Sequence, residues 1–176
     1  GGSKRIPRKN LEKIGKYSAI EHAVKNAKQS ELFQTVIIST DDREIADKAI
    51  SSGAEFDSLR PLNLSTDFAT TLDVMSYEVT QALKKYPDTD AFCCIYPMTP
   101  LLNYSRVREG FEVLLKSDFD YVFSSRKSAE HYSRALTFDS NLKLGMVNHE
   151  QAQSRTQDLV QYYFDAGQFY WGREVA

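Results

Sequence analysis

Three short apolar runs constrain this chain more than any other feature: Thr35–Ser39 (TVIIS), Phe92–Tyr96 (FCCIY) and Tyr121–Ser124 (YVFS). Each is continuous rather than alternating, the pattern of strands covered on both faces. Between them lie stretches with helical spacing, Leu72, Met75, Val79, Leu83 and Tyr86 in one and Val107, Phe111, Leu114 and Leu115 in another. A further helix is expected after Asp41 and Asp42, which can cap free N–H groups. It carries Ile45, Ala46, Ala49 and Ile50 on one face and stops at Gly53. Strand and helix alternate, which predicts an α/β fold: a three-layer, mostly parallel, doubly wound sheet. In such sheets ligands gather beyond the C-terminal ends of the strands, so the loops after Ser39 and Tyr96 become candidates for a site.

The pattern changes past Ser125. Arg134–Asp139 and Lys143–Asn148 flank the turn residues Ser140 and Asn141 and predict a β-hairpin excursion at about 125–148. No repeat or linker interrupts the chain, and 41% hydrophobic residues suffice for one core, so residues 1–176 read as a single domain. A net charge of −2 argues against a general nucleic-acid binder, which needs a basic surface. No apolar run approaches the ~20 residues that span a bilayer, and the first residues lack a secretory pattern; the expectation is a cytoplasmic protein without a membrane partner. Cys93 and Cys94 are adjacent in a strand and point to opposite faces, so they read as buried thiols. His22, His131 and His149 show no metal-binding spacing.

The segment Gly1–Asn10 (GGSKRIPRKN) joins two flexible glycines to four cations, Lys4, Arg5, Arg8 and Lys9. Amide donors and ammonium groups so placed suit a polyphosphate. Neither G-x-x-x-x-G-K-[ST] nor G-x-G-x-x-G is present. A linker scar and a solvated basic face are the competing readings.

GGSKRIPRKN also resembles the signature of the sugar-acid cytidylyltransferases, the family that includes CMP-sialic acid synthetases. The resemblance continues through VIISTDD at Val36–Asp42, LRP at Leu59–Pro61, YPMTPLL at Tyr96–Leu102 and RTQDLVQYYFDAGQFYWG at Arg155–Gly172. It implies a Rossmann-like nucleotidyltransferase domain in which the anomeric hydroxyl of an acid sugar attacks the α-phosphorus of CTP and releases pyrophosphate. Lys4 and Lys9 would neutralise phosphate charge, with Mg²⁺ as cofactor. The resemblance places Gly2, Ser3, Lys4, Lys9, Asn10, Arg60, Thr71, Pro97 and Thr99 around the nucleotide. It places Tyr96, Arg155, Gln157, Asp158, Tyr163, Asp165 and Gln168 around the sugar. On the residues alone, Arg60 also reads as a turn residue before Pro61, Thr71 as a helix start, and Phe164, Phe169 and Trp171 as core or interface packing.

Tyr96 and Met98 stand where sialic acid enzymes usually carry Gln and Thr, and Asp165–Gly172 (DAGQFYWG) resembles the pseudaminic acid branch, which makes pseudaminic acid the favoured sugar. Sialic, legionaminic and 3-deoxy-octulosonic acids are the alternatives, and a truncated, inactive nucleotide-binding module is the alternative from another class. Relatives carry an apolar strand ending in Ala-Arg before GGSK and metal-binding aspartates beyond DAGQFYWG. The first strand and C-terminal end are therefore expected to be missing, and no metal ligand is assigned; Asp41 and Asp42 read better as helix caps. The resemblance also implies a homodimer, in which Ser125–Asn148 reaches into the partner's cleft.

Overall fold

The computed structural model describes residues 6–173. The described residues form two compact units, one of residues 6–124 and 168–173, the other of residues 125–167. The second unit runs beyond the hairpin excursion expected at 125–148.

In the first unit a two-stranded ribbon, β1 (Lys13–Ile14) and β2 (Tyr17–Ser18), leads into helix α1 (Ala19–Ser30). Its turn needs Gly15, whose φ is 69°. The Glu21 carboxylate accepts from the N–H (2.8 Å) and hydroxyl (2.7 Å) of Ser18, which starts α1. Asp42 starts α2 (Arg43–Ser51) by accepting from the amides of Glu44 and Ile45, and Gly53, at φ 97°, ends it as the sequence predicts. The stripes of α1 and α2 meet in a core of Ile20, Val24, Ile45, Ala49 and Ala54, onto which Val36 and Ile38 pack.

Helix α3 (Thr71–Lys85) is capped by Thr70 and Asp73, each bonding the other's backbone N–H. Strand β3 (Ala91–Ile95), helix α4 (Tyr104–Lys116) and strand β4 (Tyr121–Lys127) follow, and the last strand, β5, is the aromatic segment Tyr163–Arg173. The order β3-β5-β4 puts β5 in the middle, antiparallel to β3, with Cys93 opposite Trp171 and Ile95 opposite Phe169. Alternation along β5 turns Phe169 and Trp171 to one face, where they bury against Val107 and Leu114 of α4 at 4% and 2% exposure. The Trp171 indole N–H donates to the Val107 carbonyl at 3.0 Å. Both aromatics are therefore core, whereas Phe164 is exposed, with the Arg126 guanidinium 5.2 Å from its ring centre.

Helices and sheet combine as an α/β architecture, with two departures from the sequence reading. The expected mostly parallel sheet has an antiparallel β3–β5 pair, because the last strand inserts between two earlier ones. Thr35–Ser39 forms no strand: it makes a single parallel bridge, Ile37 to Glu55, through the bonds Ile38 N–H to Glu55 O (2.9 Å) and Glu55 N–H to Val36 O (2.7 Å). Among the described residues no strand pairs with its other side, and β-structure needs a ladder partner that an apolar run cannot supply itself.

The second unit contains the expected hairpin, here β6 (Leu136–Phe138) and β7 (Leu144–Met146), paired antiparallel with Thr137 opposite Gly145. Asp139 shapes its turn by accepting from the amides of Asn141 (2.8 Å) and Lys143 (2.9 Å). One face of the hairpin presents apolar side chains to solvent: Leu136 and Phe138, with Leu144 opposite Phe138. No helix among the described residues is long and apolar enough to cross a membrane.

Candidate functional site

A cavity of about 850 Å³ opens in the first unit. Its floor is apolar, with Ile20, Val24, Val36, Ile38, Cys93 and Trp171, and α3 adds Val74, Met75 and Val79. No residue of α3 is buried, so the helix turns its apolar side to this space rather than into a closed core. Polar groups collect around it: Lys9, Asn10, Arg60, Thr71 and Tyr96. A charged ligand requires this polar set, since phosphate oxygens and base edges left on the apolar floor would lose their hydrogen bonds.

Each polar group is placed by its own stretch of chain. Lys9 and Asn10 lie in a short 3-10 turn, Lys9–Leu11, whose preceding residue Arg8 adopts φ 54°. Arg8 reaches Glu44 at 2.5 Å and Asp42 at 3.5 Å, tying the basic segment to the start of α2. Arg8 is thus occupied by carboxylates, whereas Lys9 has no ion pair among the described residues. The Asn10 side-chain oxygen is buried without a hydrogen-bond partner, an acceptor whose satisfaction falls to a ligand or water. The Arg60 backbone N–H donates to the Thr40 carbonyl at 2.9 Å and its Nε to Ser65 Oγ at 3.4 Å. Arg60 itself lines the cavity.

Thr71, first residue of α3, and Tyr96, first residue after β3, meet through their hydroxyls at 2.6 Å. Pro97 lines the cavity as well. Thr99 does not: it is buried, and its hydroxyl donates to the Tyr96 carbonyl at 2.6 Å. Thr99 thus shapes the loop rather than facing the cavity. Gly2, Ser3 and Lys4 lie outside the described residues. Gln168 belongs to the first unit, where its carbonyl accepts from the Tyr96 N–H at 3.0 Å.

Arg155, Gln157, Asp158, Tyr163 and Asp165 belong to the second unit and are all exposed. Arg155 precedes the 3-10 turn Thr156–Asp158, and Asp165 accepts from the Gly167 amide at 2.7 Å. Two residues that the sequence reading did not single out line the cavity: Ser39 donates to Glu78 at 2.5 Å. Glu78 stands seven residues after Thr71 on α3, a spacing that puts both on one helix face and was legible in the sequence.

The cysteines are free thiols. Burial raises both, Cys94 to about 11, so neither is a nucleophile at neutral pH. His22 is engaged with the Ile14 carbonyl at 2.8 Å, bracing the β1–β2 ribbon against α1.

With this geometry in view, comparison with known proteins is specific. A family model described as cytidylyltransferase matches residues 1–174. A pseudaminic acid cytidylyltransferase of Campylobacter jejuni is 34% identical over 177 residues, covering 100% of this chain and 76% of its relative. An N-acylneuraminate cytidylyltransferase A of Danio rerio is 27% identical over 99% of this chain and 40% of its own length. Among solved structures, a CMP:2-keto-3-deoxy-manno-octonic acid synthetase complexed with CTP superposes with a TM-score of 0.69 at 17% identity, over 99% of this chain and 70% of the other. A 4-diphosphocytidyl-2C-methyl-D-erythritol synthase from Anaerococcus prevotii does so with 0.60 at 13%, over 95% and 66%. These last two likenesses concern the fold. The chain belongs to the cytidylyltransferase family.

Proposed function

We propose that this cytidylyltransferase binds CTP at the polar groups around the first unit's cavity and transfers CMP to the anomeric hydroxyl of pseudaminic acid. The hydroxyl oxygen bonds to the α-phosphorus, the bond to the β-phosphate bridging oxygen breaks, pyrophosphate leaves, and the hydroxyl proton is lost. The observation that carries this reading is the convergence of Lys9, Asn10, Arg60 and Thr71, distant in sequence, on one cavity in a chain of this family.

Lys9 neutralises phosphate charge together with Lys4 of the basic segment, Asn10 lies close to the nucleotide, and Arg60 and Thr71 help hold the cytidine part. In the second unit Arg155 suits a sugar carboxylate, while Gln157, Asp158 and Tyr163 suit hydroxyls. Mg²⁺ accompanies the triphosphate in this reading. Among the described residues no three acidic, His or Cys side chains converge on a metal position. The reaction takes place in the cytoplasm, where CTP is made. The chain works as a homodimer, a reading favoured by the exposed hairpin, in which Phe138 is 65% and Leu142 is 80% exposed.

The test is pyrophosphate release with CTP, Mg²⁺ and, in turn, pseudaminic, legionaminic, sialic and 3-deoxy-octulosonic acids. Turnover is expected with pseudaminic acid. Turnover with another of the four alone would move the substrate to that sugar, and release with none would remove the activity.

A further inference from the structure

Tyr96 is held at every polar or aromatic handle it has. Its N–H donates to Gln168 O of β5 at 3.0 Å, and its carbonyl accepts from Thr99 Oγ at 2.6 Å. Its ring lies 5.3 Å from that of Tyr170, itself 6.0 Å from Phe123. Its hydroxyl meets Thr71 Oγ1 at 2.6 Å, 25 residues away in sequence. A side chain fixed in this way is a strut: β3, β5 and the loop after β3 are locked to the first residue of α3. Between two bonded hydroxyls one O–H is used and one stays free. A phenol O–H is the better donor, while an alkyl hydroxyl is the better acceptor. With Tyr96 as the donor, the Thr71 O–H is left to point at a ligand.

We propose that Tyr96 is a positioning residue for the nucleotide: its hydroxyl orients Thr71 so that the free Thr71 O–H meets an acceptor on the pyrimidine nucleotide. This replaces the direct sugar contact that the family resemblance implies for Tyr96, and it rests on the CTP reading above. It also gives a physical reason for a tyrosine at this position, since a shorter amide side chain would not carry the ring that packs on Tyr170.

The test is steady-state kinetics of Tyr96→Phe, Thr71→Val, Thr71→Ser and the Tyr96→Phe/Thr71→Val double variant, varying CTP and sugar separately. Tyr96→Phe keeps the ring and removes only the hydroxyl; it is expected to raise the KM for CTP about 3- to 10-fold and that for the sugar by less than about twofold. Thr71→Val should do at least as much, Thr71→Ser should keep the wild-type value, and the double variant should be no worse than Thr71→Val alone. Multiplying effects would overturn the proposal. So would a rise in sugar KM with CTP KM unmoved, which would return Tyr96 to the sugar. Hydrogen–deuterium exchange of residues 70–75 reads the same pair without turnover: faster exchange in Tyr96→Phe supports the strut and unchanged exchange removes it. Absence of turnover in the wild type counts against the CTP reading alone.

Discussion

Asp42 performs two tasks with one carboxylate. Its Oδ1 accepts from the amides of Glu44 (2.9 Å) and Ile45 (3.3 Å), and its Oδ2 accepts from Arg8 at 3.5 Å. Asp42→Ala is expected to cost about 1–2 kcal/mol in urea unfolding, and Asp42→Asn less, because Asn still caps. Equal loss in both would show that charge, not capping, dominates. Glu55 gives a pH signature. Hydrogen bonds from Lys85 Nζ (3.0 Å) and then Tyr86 Oη (2.8 Å) hold its carboxyl at about 2 rather than the usual 4.5. A carboxyl lowered by folding stabilises above its unfolded value, and that contribution drains away as pH falls from 4.5 towards 2. Glu55→Gln should therefore be less stable than wild type at pH 7, with the gap closing near pH 2; a gap independent of pH would contradict this. At this scale the capping role of Asp42 was legible, since Asp before a helical stripe has a local cause. The Tyr96–Thr71 and Arg8–Glu44 links were not, because they join residues 25 and 36 positions apart.

Among the elements, α4 shows how close packing is at the sheet. A Cβ added at Gly110 would lie 2.7 Å from Phe169 Cε2 and 3.1 Å from Trp171 Cδ1, both rigid ring atoms. Gly110→Ala should destabilise by about 1–3 kcal/mol although alanine is the better helix former, and the near-ultraviolet circular dichroism of Trp171 should change with it. A stabilised variant would mean that α4 can back away from β5. Helix stripes were largely legible: Val107 and Leu114 are fully buried, as their spacing predicts, though Leu115 is exposed. Strand pairing was not, as Thr35–Ser39 shows: apolar content marks a segment that can be covered, while its ladder depends on neighbours distant in sequence. The final aromatic segment illustrates the converse, a middle strand whose alternation separates the core residues Phe169 and Trp171 from Tyr170.

For the whole molecule, the second unit carries the clearest consequence. Leu136, Phe138, Leu142, Leu144 and Val147 are exposed together on and beside one small hairpin, and clustered apolar side chains of this kind mark an interaction surface. Light scattering is expected to give about twice the mass of one chain, and Phe138→Ser with Leu144→Lys to give a monomer with unchanged helix content; a wild-type monomer would remove the dimer. The central claim, that the groups around the cavity hold CTP, is tested most directly by calorimetric titration of CTP into wild type and Lys9→Ala. Loss of a charge-assisted contact to phosphate should weaken binding by about 10- to 100-fold in Lys9→Ala. Equal affinity in the two proteins, or a folded wild type that binds no CTP, would contradict the account.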